Sequence, residues 1–314
     1  MWKYVVKRLL WMIVVLLGVA FIIFTIMYLT PGDPAEMLLG TQATEAEKAA
    51  KRAILGVDKP YLVQLGNYFY QTFIKLDLGT SWIYETPVVQ QMAERLPRTV
   101  FMNLASMIIT IIIGFPMGIM AARNQGKWQD YGVIGLSIVL ISMPGFWVAL
   151  MFVLLFSVQL GWLPSSGIGG IQYYILPVIT GSLAGIAGNS RQARSAMLEV
   201  IRADFVTTAR AKGQDENTIV MKHILPNAMM PMITMLGGSL THIVAGSAIT
   251  ERIFSIPGIG LYMLNGISYR DYPIIRGCTL FFAAFAAVCT LLTDLCYAWL
   301  DPRIKAQYQS GKRG

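Results

Sequence analysis

Charged residues are scarce in this sequence. Only 13% of its 314 residues are Asp, Glu, Lys or Arg, whereas 55% are hydrophobic, and the mean hydropathy is +0.56. Soluble domains carry about 25% charged residues, so this composition indicates an integral membrane protein. The net charge of +8 does not predict a nucleic-acid partner, because the basic residues are dispersed at the ends of apolar runs, where they set membrane topology.

Cysteine and histidine are also rare, which argues against a disulfide scaffold or a metal site. The three cysteines, Cys278, Cys289 and Cys296, all lie in the last apolar segment, and there are only two histidines. Cysteines spaced along one membrane-spanning helix usually serve as small apolar packing residues. His242 lies in an apolar run, where an ionisable group is a functional candidate, although a neutral histidine hydrogen-bonded to a helix neighbour is the favoured interpretation. We expect no metal and no cofactor.

Catalytic motifs are missing as well. The sequence has no Gly-x-x-x-x-Gly-Lys-Ser/Thr stretch and therefore no phosphate-binding loop of its own. Ser239 follows Gly238 without the Gly-x-Ser-x-Gly pattern of a serine hydrolase. We predict that the chain is not an enzyme and that any ATP hydrolysis occurs on a separate ATPase chain.

Long uncharged runs are what the sequence has in excess. The first, 9–30, is long enough to cross about 30 Å of hydrocarbon at roughly 1.5 Å per residue. The run 131–190 contains no charged residue and must fold back on itself at the Gly-rich and Pro-containing stretch 161–170. An all-α protein with six transmembrane helices is predicted, with spans at 9–30, 99–122, 131–159, 172–190, 225–250 and 274–300.

Glycine and proline within these runs predict local geometry. Pro144 and Gly145 predict a kink in the third span. Glycines four residues apart, at Gly114 and Gly118 and again at 181 and 185, predict close approach of helix backbones.

The distribution of Lys and Arg predicts the orientation of the chain. If the N-terminus is cytoplasmic, 15 of the 25 basic residues lie in cytoplasmic segments, and the short outer loop at 160–171 has none. Both termini and the loop at 191–223 are then cytoplasmic, and the polar stretch 31–97 is an extracytoplasmic insert of helices and loops.

Asp294 and Asp301 share a helix face near the cytoplasmic boundary, where an anchoring role is favoured over a proton relay.

The charged segment 196–226 lies between two long apolar runs and has a helical pattern. Leu198, Ile201, Phe205 and Ala209 recur at helical spacing and predict one buried face. Gly213 follows the last periodic residue, as a helix C-terminus requires, and Asp215 or Asn217 can cap a second helix. The pattern predicts a helix over 200–212, a sharp turn and a second helix. An amphipathic helix on the membrane surface is the alternative.

The stretch FVTTARAKGQDENTIVMKHILP at 205–226 resembles the cytoplasmic loop of ABC-importer permeases. The family consensus is Glu-Ala-Ala, three residues, Gly, nine residues, Ile, one residue and Leu-Pro. Here Ala209, Gly213, Leu225 and Pro226 match, whereas Thr207, Thr208 and His223 depart from it. TARAKG is closer to the branch of the family that transports peptides and nickel. The resemblance implies a coupling helix that docks in a groove of the ATPase, with these site residues: Phe205, Thr207, Thr208, Ala209, Arg210, Gly213, Leu225 and Pro226.

The same resemblance implies an organisation and a function for the whole chain. The expected segments are 1–30 with the first helix, the insert 31–97, a permease core at 98–303 and a basic tail at 304–314. The implied protein is a multi-pass subunit of the bacterial cytoplasmic membrane that imports di- or oligopeptides. Its implied partners are a second, homologous permease, two ABC ATPases, a solute-binding protein and membrane lipid. Import of nickel or another small solute, or an ion-coupled secondary transporter, remain the alternatives.

Overall fold

The computed structural model describes residues 2–245 and 247–300, and the described chain is helical except for loops and one isolated bridge between Thr80 and Pro87. The all-α prediction is confirmed, whereas Asp301 and the tail at 304–314 lie outside the described residues. The helices are α1 Trp2–Leu29, α2 Pro34–Leu39, α3 Glu45–Leu55, α4 Tyr61–Phe69, α5 Val88–Arg123, α6 Trp128–Ser142, α7 Gly145–Phe152, α8 Gln172–Ile201, α9 Asp204–Ala211, α10 Glu216–Ile219, α11 Leu225–Thr241, α12 Ala248–Ile253, α13 Ile259–Tyr269 and α14 Tyr272–Leu300. π-helical turns extend α4 over Tyr70–Ile74 and α7 over Val153–Gln159, and Val220–Ile224 joins α10 to α11.

Four stretches of the described chain are long and apolar enough to cross a membrane: Val5–Leu29, Val88–Arg123, Glu216–Thr241 and Tyr272–Cys296. The helices Trp128–Ser142 and Gly145–Gln159 form a fifth candidate that is bent by 94°. The bend falls at Met143 and Pro144, which confirms the predicted kink. Helix α8 is 30 residues long, but it is not one of these candidate spans, because its many small and polar residues lower its mean hydropathy. The count of six spans stays a prediction.

The described residues divide into two compact units. The first contains the residues up to Pro97 and those from Pro257 onward. In it α1 packs along α14 around a core of Ala20, Phe24, Tyr68 and Leu280. Arg8 of α1 pairs with Asp294 of α14 at 2.5 Å, so the end of α14 is anchored by an ion pair.

The predicted insert is built from short capped helices. Asp33 caps α2 by accepting from the Ala35 amide at 2.9 Å, and it also pairs with Arg52 of α3 at 2.6 Å. Partial burial alone would raise the pKa of Asp33, but the hydrogen bonds from Arg52 and Ala35 bring that pKa below its ordinary value. Thr44 and Glu47 form a capping box at the start of α3. The ion pair between Asp33 and Arg52 therefore joins the start of α2 to α3, and the capping box stabilises the start of α3 itself.

In the second unit, Arg98–Ile256, α8 packs against α6 and α11 and comes into close contact with α5. A Cβ on Gly118 would lie 2.3 Å from the carbonyl oxygen of Ser190, and a Cβ on Gly185 would lie 2.7 Å from Oγ1 of Thr110. Glycines on both helices therefore allow their backbones to approach, as their spacing predicts. Across the contact, Oγ1 of Thr110 donates to the carbonyl of Ser182 at 3.2 Å.

The predicted span 225–250 is wrong at its end, because α11 stops at Thr241 and α12 begins at Ala248. Helix ends leave backbone groups unpaired, and a buried polar network satisfies some of them here. Asn103 donates to the carbonyl of Ile243 at 2.6 Å and to Oγ of Ser247 at 2.9 Å. Thr99 and Ser247 both donate to the fully buried Glu251, at 2.7 and 2.8 Å. His242 is exposed at the C-terminus of α11 rather than within the helix.

Candidate functional site

After the end of α8, the charged segment 196–226 continues as two short helices, α9 and α10. The pattern predicts instead a longer first helix over 200–212. Helix α8 ends at Ile201, Ala203 is extended with ψ at 147°, and α9 spans Asp204–Ala211. The predicted continuous helix over 200–212 is therefore wrong. Asp204 lies in the first turn of α9 and Arg210 in its last turn, which is the favourable arrangement for the helix dipole.

The break changes which residues of the segment are buried. Val206 is fully buried and Ala209 is 8% exposed, and both pack in a cluster with Ile219 and Ile224. Phe205 is 44% exposed. The prediction that Phe205 shares the buried face of Leu198 and Ile201 is wrong, because that periodicity does not continue through Ala203. The segment is thus anchored by Val206 and presents Phe205 outward.

The turn after α9 has the geometry that the sequence predicts. Gly213 has a φ of +73°, in the left-handed region that glycine adopts without a Cβ penalty. A Cβ at this position would meet no atom within 4 Å, so the backbone angle alone favours glycine. Asp215 caps α10 by accepting from the amides of Asn217 and Thr218 at 3.0 and 3.3 Å.

Two side-chain interactions bridge the segment around this turn, one between α9 and α10 and one between Gln214 and His223. Arg210 donates to the two carboxylate oxygens of Glu216 at 3.1 and 2.6 Å, and this pairing raises the pKa of the arginine. His223 Nε2 and Gln214 Oε1 are 2.9 Å apart. Both pairs are solvent-exposed and contribute little stability individually. Together they fix the path of the chain between α9 and α10.

The remaining predicted site residues lie in different surroundings. Thr207 and Thr208 are exposed on α9, and Thr208 Oγ1 donates to the carbonyl of Asp204 at 3.0 Å. Leu225 is half-buried and Pro226 exposed at the start of α11. Pro226 lies just after the π-helical turn Val220–Ile224, where regular α-helical hydrogen bonding is interrupted and a residue without an amide hydrogen is tolerated. We call the exposed side chains of Phe205, Thr207, Thr208 and Arg210 the docking face.

A groove beside the docking face was not predicted from the sequence. Its volume is about 370 Å³, and Phe205 forms one wall. The other walls come from the last turns of α8, including Ala196 and Val200, and from Asn227 and Pro231 of α11. Since three helices contribute, only the folded structure reveals it.

Ion pairs and hydrogen bonds between distant parts of the sequence join the helices around the docking face to one another. Arg194, two turns before the end of α8, donates to the two oxygens of Asp130 at 2.5 and 2.9 Å. Asp130 is buried and also accepts from the Gly126 amide at 3.0 Å. Arg123 of α5 donates to Asn217 at 2.6 Å. These contacts join α6 to α8 and α5 to α10, and α10 is in turn paired with α9 through Glu216 and Arg210.

Replacing Arg194 with alanine is expected to destabilise the second unit by about 3 kcal/mol, because it leaves a buried carboxylate without its cation. Thermal unfolding of the purified chain should show this loss. The double variant Arg194→Met with Asp130→Leu should recover most of it. If Arg194→Ala unfolds at the same temperature as the parent, the ion pair does not hold α8 to α6.

Comparison with known proteins identifies the family. Residues 114–306 match the family described as the binding-protein-dependent transport system inner membrane component, and residues 1–103 match the N-terminal membrane component of the same system.

Within the described residues, no group of three or more His, Cys, Asp or Glu side chains could hold a metal ion.

Several curated proteins are similar over nearly their whole length. The dipeptide transport system permease protein DppB of Alkalihalophilus pseudofirmus is 37% identical, over 97% of this chain and 100% of the relative. A putative peptide transport system permease protein of Brucella abortus is 38% identical, over 96% and 98%. The glutathione transport system permease protein GsiC of Salmonella choleraesuis is 37% identical, over 97% and 99%.

A solved structure shares the fold. The chain aligns to a structure of the MetNI methionine ABC transporter in an inward-facing conformation with a TM-score of 0.56 and 17% identity, covering 68% of this chain and 97% of that one. At this identity the likeness concerns the fold alone. The two family matches and the full-length relatives carry the conclusion that this multi-pass membrane protein belongs to the family of binding-protein-dependent transport system inner membrane components.

Proposed function

We propose that this chain forms half of the translocation pathway of an ATP-driven importer for short peptides, and that the docking face couples it to an ABC ATPase. The substrate proposal is supported by the relatives, whose names specify dipeptide, peptide or glutathione transport. The observation that carries the coupling proposal is the exposed Phe205 on a short helix whose opposite face is anchored by Val206. A singly exposed ring is common on protein surfaces, but Phe205 also forms one wall of a groove lined mainly by apolar residues, and a contiguous apolar surface of this kind is typical of a binding site.

A lone protruding aromatic side chain is a typical interface anchor. Interface energy concentrates in a few large side chains that fill pockets of the partner, and aromatic and arginine residues dominate such positions. The docking face offers both types, with Phe205 beside Arg210. Because Arg210 is already paired with Glu216, we assign the main contact to Phe205 and a positioning role to Arg210.

Coupling follows from the way the docking face is attached. ATP binding would move the ATPase groove and with it α9. That motion would pass to α8 through the cluster that buries Val206, and to α5 through α10, which Arg123 contacts at Asn217. Such coupling requires only that the ATPase binds one state of the permease better than the other. A second, homologous permease and an external solute-binding protein complete the proposed assembly.

Growth on peptides tests the substrate. A strain lacking this gene should fail to grow on dipeptides or oligopeptides as the sole source of a required amino acid, and the intact gene should restore growth. Nickel accumulation is measured in the same strains. Loss of nickel uptake with unchanged peptide growth would contradict the peptide proposal, and uptake that survives ATP depletion would favour an ion-coupled carrier.

The proposed orientation makes a separate prediction. With the three native cysteines replaced, single cysteines in place of Gln42 and of Gln214 occupy exposed positions in the insert and in the turn after α9. An impermeant thiol reagent applied to intact cells should label the first and not the second. The opposite pattern would place the docking face outside the cell and exclude contact with a cytoplasmic ATPase.

A further inference from the structure

A polar cavity of about 560 Å³ opens in the first unit, at the end of α1 nearest the insert. Its walls come from α1, from the insert helices α3 and α4, and from the first turns of α14. Two polar groups at its wall have hydrogen-bonding capacity that no described residue satisfies. Neither belongs to the docking face.

The first of these groups is the guanidinium of Arg276. Its Nε donates to the carbonyl of Tyr272 at 3.3 Å, and it lies 4.9 Å from the ring centroid of Tyr68 and 5.8 Å from that of Phe24. Among the described residues, no acceptor or carboxylate lies within bonding distance of its two terminal nitrogens. Arg276 is partly buried, and aromatic rings compensate such a cation only in part, so the arginine can still bind an anion.

The second group is the hydroxyl of Tyr68. This side chain is 8% exposed, and its hydroxyl has no hydrogen-bond partner of normal geometry in the described part of the chain. Burial raises the pKa of Tyr68, and the charge of Arg276 and the nearby side chain of Thr72 offset part of that rise. Thr72 does not, however, form a hydrogen bond of normal geometry with the Tyr68 hydroxyl. Buried hydroxyls are almost always paired, and a ligand in the cavity would provide the missing acceptor.

The charge of the cavity wall selects the type of ligand. Arg52 is neutralised by Asp33 at 2.6 Å, whereas Lys59 and Arg276 form no ion pair with a described residue and both line the cavity. Positive donors on different walls suit a tetrahedral anion with several oxygens better than a planar carboxylate. The expected ligand is a phosphate group.

The position of the cavity selects the source of that phosphate. The cavity opens at the end of α1. Only 11% of the most apolar part of this helix is buried within the protein, and the side chains of Ile22, Ile26 and Leu29 are exposed at the same end. Acyl chains can lie along these side chains while a headgroup enters the cavity. We propose that the cavity binds the phosphate of an anionic phospholipid, held by Arg276 and Tyr68. A soluble phosphate ester shares this chemistry, and the experiment separates the two sources.

The test uses the purified importer complex containing the full chain. Native mass spectrometry and thermal unfolding are recorded after addition of phosphatidylglycerol, of diacylglycerol with the same acyl chains, or of glycerol 3-phosphate. Phosphatidylglycerol alone should be retained and should raise the unfolding temperature.

Arg276→Gln should lower the retention of phosphatidylglycerol about tenfold, and Tyr68→Phe about fivefold, because each removes a hydrogen bond to a charged group. Without lipid, Tyr68→Phe should unfold at a higher temperature, since it removes an unpaired hydroxyl and keeps the ring.

Arg95→Gln is the matched control. Arg95 also stacks on two tyrosines of the first unit, at 4.8 Å from Tyr262 and 5.9 Å from Tyr84, but it does not line the cavity. Its variant should retain phosphatidylglycerol like the parent. An equal effect of glycerol 3-phosphate would assign the cavity to a soluble phosphate ester and overturn the lipid source. Displacement of the lipid by a dipeptide, or normal retention by Tyr68→Phe, would overturn the proposal itself.

Discussion

Replacing Gly118 with alanine is expected to destabilise the second unit by about 1–3 kcal/mol, because overpacking a close helix contact forces the backbones apart. A Cβ at this position would lie 2.3 Å from the carbonyl oxygen of Ser190 and 2.6 Å from Cβ of Ala193. Both atoms belong to α8 and neither can rotate away as the end of a long side chain can. Thermal unfolding of purified protein, together with its yield from membranes, measures the effect. Gly118→Leu should prevent accumulation altogether.

Gly135→Ala provides the control for this prediction. Gly135 lies on α6, and a Cβ there would meet nothing within 4 Å. Its variant should accumulate and unfold like the parent or slightly better, since alanine has the higher helix propensity. If Gly118→Ala matches the parent and Gly135→Ala does not, the close contact between α5 and α8 is not where the structure places it.

Replacing Phe205 with alanine is expected to weaken ATPase binding by about 2 kcal/mol or more, roughly thirtyfold in affinity, with loss of ATP-dependent uptake. The ring is 44% exposed in the isolated chain, so its removal should not destabilise the permease itself. Co-purification of the ATPase and uptake into vesicles are measured on the same preparations. The permease variant should reach the membrane at the parental level.

Two further variants separate docking from folding. Val206→Ala removes side-chain volume from a fully buried position and should lower the unfolding temperature of the permease. Leu62→Ala removes an exposed apolar side chain of the insert, 75% exposed, and should change neither property. If Phe205→Ala lowers permease stability but leaves ATPase binding intact, α9 lies on the membrane surface instead of on a partner.

Features that depend on nearby residues could be predicted from the sequence. The first span follows from an uncharged run, the last from an apolar run that contains only Arg276 and Asp294 as charged residues, and the bend after Ser142 follows from Pro144. The left-handed turn at Gly213 and the cap at Asp215 follow from residue types whose backbone preferences are strong. In each case, the physical cause lies within a few residues of the structural result.

Features that depend on distant residues could not be predicted. The break at Ala203 is marked by neither glycine nor proline nearby, so the helical periodicity predicts a continuous helix through it to Phe205. The pairing of Arg194 with Asp130 joins positions 64 residues apart. The end of α11 is stabilised by Asn103, which lies 140 residues from Ile243. Such contacts are set by packing, which a single sequence without the fold does not reveal.

The claim that the docking face binds an ABC ATPase is tested most directly by crosslinking in cells. A photoreactive phenylalanine analogue is placed at position 205, and for comparison at positions 206 and 62, in the intact importer. After illumination, position 205 should capture the ATPase chain, whereas the buried position 206 should crosslink only within the permease and position 62 should not reach the ATPase. Capture of lipid or of no other chain at position 205, with the ATPase present and the permease folded, would contradict the docking assignment.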